Sequence, residues 1–302
     1  MTFQDVETAR KIYWDKLKNR IFISAAISVV IGLIFSVGNR YAIFFTIFIA
    51  LIAFFIAVGF AIFFTRKEAT NYRKAYKGYF VERNFQKIFT DLSYTHAAGL
   101  SLEILRKTGM INTGDVYTSN DLTVAKYKKV GFTQADAHIQ TESTDSDGHT
   151  TYTTIFKGRF MIFEFPKKFN FKLELVGKSF YAYRIPGKDK STNRKMNKIK
   201  TESSEFNQTF KIFGQDGFET FYLLDPVMIV KLQAIAERYK NRILIGFFDN
   251  KMLVAINDGK DSFEPPRASK PIDEKIEMKK VATDIKVITD FADNLSLSPI
   301  FS

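Results

Sequence analysis

Two uncharged stretches near the start of the chain, residues 21–37 and 41–65, narrow its possible folds more than any other feature. They run 17 and 25 residues without Asp, Glu, Lys or Arg. At about 1.5 Å rise per residue, helices of these lengths reach roughly 26 Å and 37 Å, against a bilayer hydrocarbon core of about 30 Å. Both are apolar nearly all round, unlike a surface helix with one polar face. The first is too long for the apolar core of a cleaved signal, and no small-residue cleavage site follows it. The expected element is a transmembrane helical hairpin over residues 21–65, turning at Gly38-Asn39-Arg40.

Small residues form stripes on both helices. Ser24, Ser28, Gly32 and Ser36 are spaced by four; Ala50, Ala53, Ala57 and Ala61 are spaced by three or four. In lipid, helices associate through close backbone approach at such faces, so the stripes pack either on each other or against a second copy as a homo-oligomer. Arg10, Lys11, Lys16, Lys18 and Arg20 precede the first span; Arg66, Lys67, Arg73, Lys74 and Lys77 follow the second, and the turn holds only Arg40. That bias predicts a multi-pass protein of the cell membrane with both termini cytoplasmic. The sequons at Asn207 and Asn294 are then chance matches, because that side is not glycosylated.

The net charge is +12, with 38 basic and 29 acidic residues from Arg66 onward. A basic body tethered to a bilayer most simply meets anionic lipid headgroups. Nucleic acid is the other partner of such charge, but no recognition-helix or ribonucleoprotein-type aromatic motif occurs, and none is expected to bind. The absence of cysteine excludes disulfides, thiolate catalysis and Cys-based metal sites.

Residues 1–20 read as a cytoplasmic segment, 21–65 as the hairpin, and 66–110 as a helical stalk. Within the stalk, Val81, Phe85, Ile88 and Leu92 recur at helical spacing, and a second short helix over 101–107 stops at Gly109. Residues 111–185 read as an antiparallel β half covered on one face. Ala135, Ala137 and Ile139 alternate with Asp136, His138 and Gln140; residues 143–151 form a polar turn, and strands follow at 152–165, 169–175 and 179–185. Residues 186–200, with five Lys and one Arg against one acid, read as a basic linker. In the α+β half, residues 201–302, strands are expected at 206–213 and 218–224 around a turn at 214–217. Asp225-Pro226 opens a helix, Asp249-Asn250-Lys251 turns a hairpin, and residues 273–294 form a last helix. The fold class is α+β: a transmembrane helical hairpin, then a cytoplasmic body of antiparallel strands with packed helices.

Phe156-Lys157-Gly158-Arg159-Phe160, Ser204-Glu205-Phe206 with Phe210, Tyr222-Leu223-Leu224-Asp225-Pro226, and residues 247–256 (FFDNKMLVAI) together resemble a bacterial family, domain of unknown function 3137. The resemblance implies the same layout, two N-terminal spans and a cytoplasmic body, and implies no activity. Where that family commonly has Thr before the proline, this chain has Asp225, which keeps the capping role.

Catalytic signatures fail one by one. Gly177-Lys178-Ser179 lacks the earlier glycine of a phosphate loop, since position 172 is Lys, and it lies between strands. Asp145-Ser146-Asp147-Gly148 has the look of a calcium loop, but both end ligands, at Ser143 and Thr154, are missing, so a turn is expected. His138 and His149, with Asp147, could approach across the hairpin and hold a metal; solvated side chains are the plainer expectation. His96 is the remaining histidine. Asp216 with Glu219, or Asp225 with Asp249, could work as acid–base pairs if they shared a cleft. No catalytic, cofactor or metal residue is therefore assigned. The expected function is a membrane-anchored cytoplasmic binding or scaffolding module; the alternatives are an anionic-lipid-binding membrane organiser, or an enzyme assembled from distant acids.

Overall fold

The computed structural model describes residues 1–36, 43–166, 168, 171–186, 195–214 and 223–296. Several expected features lie outside them: the Gly38-Asn39-Arg40 turn, Phe169, most of the basic stretch 186–200, most of the 214–217 turn and the 218–224 strand, and the pair Asp216 and Glu219. The chain forms two compact units, Met1–Arg83 with Glu264–Val281, and Asn84–Phe263 with Ala282–Ser302.

In the first unit, α1 (Phe3–Ser36) begins well before the apolar stretch, so residues 3–20 and the first candidate span are one helix. Nothing in residues 3–31 breaks it, since no proline or glycine occurs there, and Thr2 and Asp5 cap its start reciprocally, at 2.7 and 3.3 Å. Helix α2 (Ile43–Phe64) follows. Both helices are long and apolar enough to cross a membrane. Their small-residue stripes face each other: the Ser24 hydroxyl donates to the Ala57 carbonyl at 3.2 Å, and a Cβ on Gly32 would lie 3.2 Å from that of Ala50. Helix α3 (Arg66–Tyr76) runs into a π-helical turn (Lys77–Glu82).

The same unit settles where several flanking cations go. Lys77 is 1% exposed and lies 2.7 Å from Glu264 Oε1, while Arg73 Nε reaches that residue's other oxygen at 3.0 Å. Arg10, also buried, pairs with Glu7 at 2.9 Å and donates to the Ala268 carbonyl. The Tyr76 hydroxyl donates to Glu277 at 2.6 Å, and that of Tyr79 donates to Glu274.

The second unit is built on one antiparallel sheet of nine described strands, in the order β1-β2-β3-β4-β9-β8-β5-β7-β6. They are β1 (Thr90–Thr95), β2 (Val116–Tyr127), β3 (Val130–Thr144), β4 (Thr150–Glu164), β5 (Leu173–Gly177), β6 (Asn197–Ile199), β7 (Phe210–Gly214), β8 (Ile243–Phe248) and β9 (Lys251–Ile256). Strands from both sides of the basic stretch interleave: β9 pairs β4, and β5 sits between β8 and β7. Residues 111–185 and 201–302 thus share one sheet, and the tail of the basic stretch is itself the edge strand β6.

The helices of this unit follow local chemistry. Helix α4 (Arg83–Ile88) ends the stalk short of Leu92, which falls in β1. Helix α5 (Leu102–Thr108) is capped by Ser101 and closed by Gly109 at φ +70°. Helix α6 (Ser204–Thr209) replaces the first part of the strand expected at 206–213, because the Ser203 hydroxyl accepts from the Phe206 amide at 3.2 Å and nucleates a turn. Helix α7 (Pro226–Arg238) opens as expected, with Asp225 accepting from the Met228 amide at 2.8 Å. Helix α8 (Glu274–Ser296) gives this unit its residues from Ala282 onward. Residues 179–185 form no strand beyond an isolated bridge between Ile111 and Tyr183.

The sheet is covered on both faces, against the one-faced expectation. Ala135, Ala137, Ile139, Phe156, Phe160, Leu253 and Ala255 form a core with α5 residues on one side. On the other, Phe132 packs on Phe89, and Phe163 on Phe291 of α8. The alternate residues of β3, which read as a solvated face, are therefore buried too: Gln134 and Asp136 are 0% and 2% exposed.

Candidate functional site

Covering the second face forces a polar centre into the interior. Asp136 on β3 sits opposite Arg159 on β4, and Arg159 Nε donates to Asp136 Oδ1 at 3.4 Å. The other carboxylate oxygen accepts from the Ser262 amide at 2.6 Å. The guanidinium also donates to the Asp284 carbonyl at 2.8 Å and lies 4.8 Å over the Phe263 ring, while its buried Nη2 has no partner among the described residues. Burial pushes the Asp136 carboxyl up to about 7; Asp121 and Asp261 push the same way, and Arg159 and the Ser262 amide only partly oppose them. With Asp136 and Arg159 both nearly closed to solvent, the pair is an internal brace between strands, out of a substrate's reach.

A second polar feature opens to solvent. A cavity of about 510 Å³ is lined by Arg238, Tyr239 and Lys240 at the end of α7, Arg242 before β8, Asp258 and Lys260 after β9, and the 283–290 stretch of α8 with Asp284, Lys286 and Asp290. A smaller pocket of about 160 Å³ adjoins it and shares Arg238, Tyr239, Val287 and Asp290. Arg238 pairs with Asp290 at 2.9 Å, and Asp258 accepts from the Lys260 amide at 3.1 Å. Lys240 stands at φ +53° and Asn241 at φ +58°, a left-handed turn built without glycine. Burial raises the titration of the Tyr239 phenol, with Arg159 and Arg238 opposing. The volume is in the range of a small-molecule site, and the lining is charged where such sites are mostly apolar, which suits a charged ligand.

The candidates singled out in the sequence fall elsewhere. His138 pairs in register with Lys157, and its Nε2 lies 2.8 Å from Thr154 Oγ1; His149 sits at the far hairpin end beside the Thr144–Thr150 pair. Six residues of strand, roughly 20 Å, separate His138 from that end, so the hairpin does not assemble a His-His-Asp metal site. Asp145 Oδ1 accepts from the Asp147 and His149 amides, and Gly148 adopts φ +82°: the segment is a turn. Lys178 and Ser179 donate their amides to Thr209 and Asn241 carbonyls, and no helix opens there to hold a phosphate. Asp225 caps α7, and Asp249 supplies the φ +50° position of the β8–β9 turn. None of the cavity cations was singled out in the sequence. Arg238, Lys240 and Arg242 lie close together, but basic residues at a helix end are expected from its dipole alone.

Residues 154–297 match the family model described as protein of unknown function DUF3137, in agreement with the motifs around Gly158, Phe206, Asp225 and Met252. No curated protein matches the chain. Among solved structures, the crystal structure of the mycobacterial trehalose monomycolate transport factor A, TtfA, is similar at 10% identity over 75% of this chain and 96% of that one, with a TM-score of 0.40. A likeness at that level has no bearing on fold or function.

Proposed function

We propose that this chain, whose residues 154–297 carry the DUF3137 signature, is a membrane-anchored cytoplasmic binding module. The observation that supports it is the sidedness of α1 and α2. Ser24, Ser28 and Ala61 of the stripes are buried, while Phe22, Val29 and Leu33 on α1 and Phe48, Phe55 and Phe60 on α2 all stand exposed. A continuous apolar surface of that kind is stable in lipid and unstable in water. Arg20 lies 5.5 Å over the Phe64 ring and Arg66 lies 4.7 Å over that of Phe63, which puts cations and aromatics at one end of the pair, as at a headgroup boundary. The strong basic flanks against a single arginine between the helices favour both termini inside. The soluble unit then acts through the cavity at the end of α7.

Alkaline carbonate extraction of membranes tests the anchor: the chain should stay in the pellet, and its appearance in the supernatant would overturn the reading. Orientation is tested with cysteines placed by Asn39→Cys and Ser203→Cys in this cysteine-free chain. Only the first should react with an impermeant reagent applied outside; labelling of the second would reverse the topology.

Anionic headgroups are the alternative partner. Arg66, Lys67 and Lys74 are exposed directly after α2, whereas Arg10 and Lys77 are held by internal acids. Hydrogen exchange over residues 66–76, slowed by anionic but not neutral nanodiscs and restored by salt, is the expected signature.

A further inference from the structure

We propose that the cavity between the end of α7, the 258–260 loop and the 283–290 stretch of α8 binds a phosphate-bearing anion. The inference deepens the binding-module reading by giving its site a ligand class. Its ground is charge that the fold leaves unanswered. Five cations line the space, and among the described residues only Arg238 is ion-paired, with Asp290. Lys240, Arg242, Lys260 and Lys286 make no ion pair among the described residues. Elsewhere in the same unit some exposed lysines find acids, Lys126 with Asp91, Lys128 with Asp293 and Lys251 with Glu164, while Lys129, Lys198 and Lys211 do not among the described residues. What sets the cavity apart is that its unpaired cations converge on one concave space.

The cavity's three acids do not cancel this field. Asp290 is taken by Arg238, and Asp258 accepts from the main-chain amide of Lys260 rather than from its ammonium. With Asp284 counted as well, the lining still carries two more cations than acids. The cations arrive from three separate segments, so no single helix face explains them. One of them is placed at a conformational cost: Lys240 occupies a left-handed position that glycine would fill freely. Like charges held around a concave surface repel until an anion enters, and a phosphate offers several acceptors to several cations at once. Tyr239 and Val287 give one wall an apolar surface, and about 510 Å³ is room for a phosphate with an organic group attached. The phosphate comes either from a soluble metabolite or from a lipid headgroup.

The test uses the full chain in phosphatidylcholine nanodiscs, titrated calorimetrically with inorganic pyrophosphate. Saturable binding is expected, weakened about tenfold or more by Lys240→Glu with Lys286→Glu and unchanged by Lys107→Gln on α5, outside the cavity. If nanodiscs containing phosphatidylglycerol compete with pyrophosphate, the natural phosphate is a headgroup; if they do not, it is soluble. Both results support the site. Absence of saturable binding, or equal affinity in the double variant with an unchanged melting temperature, overturns it. Fractionation judges the anchor separately: were the chain soluble, the same titration without nanodiscs would still decide the cavity.

Discussion

Arg159 and Asp136 face each other across neighbouring strands in a layer closed by α8, with one guanidinium nitrogen lacking a partner among the described residues. Removing the cation leaves a buried carboxyl with only an amide donor. Arg159→Met is expected to cost about 3–5 kcal/mol, seen as a lower denaturation midpoint of the full chain in detergent. Adding Asp136→Leu to it should recover much of that loss, because an apolar pair of similar volume has no desolvation penalty.

The same carboxyl sets a pH slope. Its folded titration near 7 lies above the ordinary 3.8, chiefly through burial, so the folded state binds the extra proton between those values. Stability from this group is full below about pH 4 and is lost as pH rises toward about 7. Thermal melts of the native chain should decline over that window relative to Asp136→Asn. Parallel curves for the two proteins would refute the assignment.

Gly158 and Gly246 make a matched pair of probes. A Cβ at Gly158, where φ is +156°, would lie 2.0 Å from the Ile256 carbonyl oxygen, and backbone in a central strand cannot give way. Gly158→Ala should cost roughly 2–4 kcal/mol. At Gly246 the obstacle is the Met110 sulfur at 2.1 Å, the end of a flexible side chain, so Gly246→Ala should cost under about 1 kcal/mol. Denaturant midpoints of the two variants decide it.

The stripe on α1 meets the stripe on α2 at Gly32 and Ala50. Gly32→Leu should pry these helices apart at a cost of roughly 1–3 kcal/mol while leaving the particle mass in detergent unchanged. A drop in mass by light scattering would show instead that this face joins copies.

Local chemistry was readable wherever one residue does one job. Ser101 and Gly109 bound a short helix, Asp225-Pro226 starts another, and Asp249 turns a hairpin, each as expected. The apolar pair of helices was equally plain, being set by composition alone. Strands β1 and β2 escaped notice because Thr90–Thr95 and Val116–Tyr127 are rich in Thr, Ser, Asn and Asp and lack clean alternation. Asp136 misled for a related reason: alternation implies water on the polar side, and nothing local announces that α8, far downstream, covers it. The cavity was illegible because its cations are gathered from residues 238 to 286 by sheet order, which no local period encodes.

That order also dictates a timetable. β4 waits for β9, and β5 for both β7 and β8, so the central rungs close only after residue 256 has been synthesised, whereas α1 and α2 are complete long before. Late, non-local closure of this kind is slow and leaves unsatisfied edges during translation. The sheet therefore closes only on a chain whose greasy leading helices have already been made, and any truncation upstream of β8 strands β5 with a bare flank.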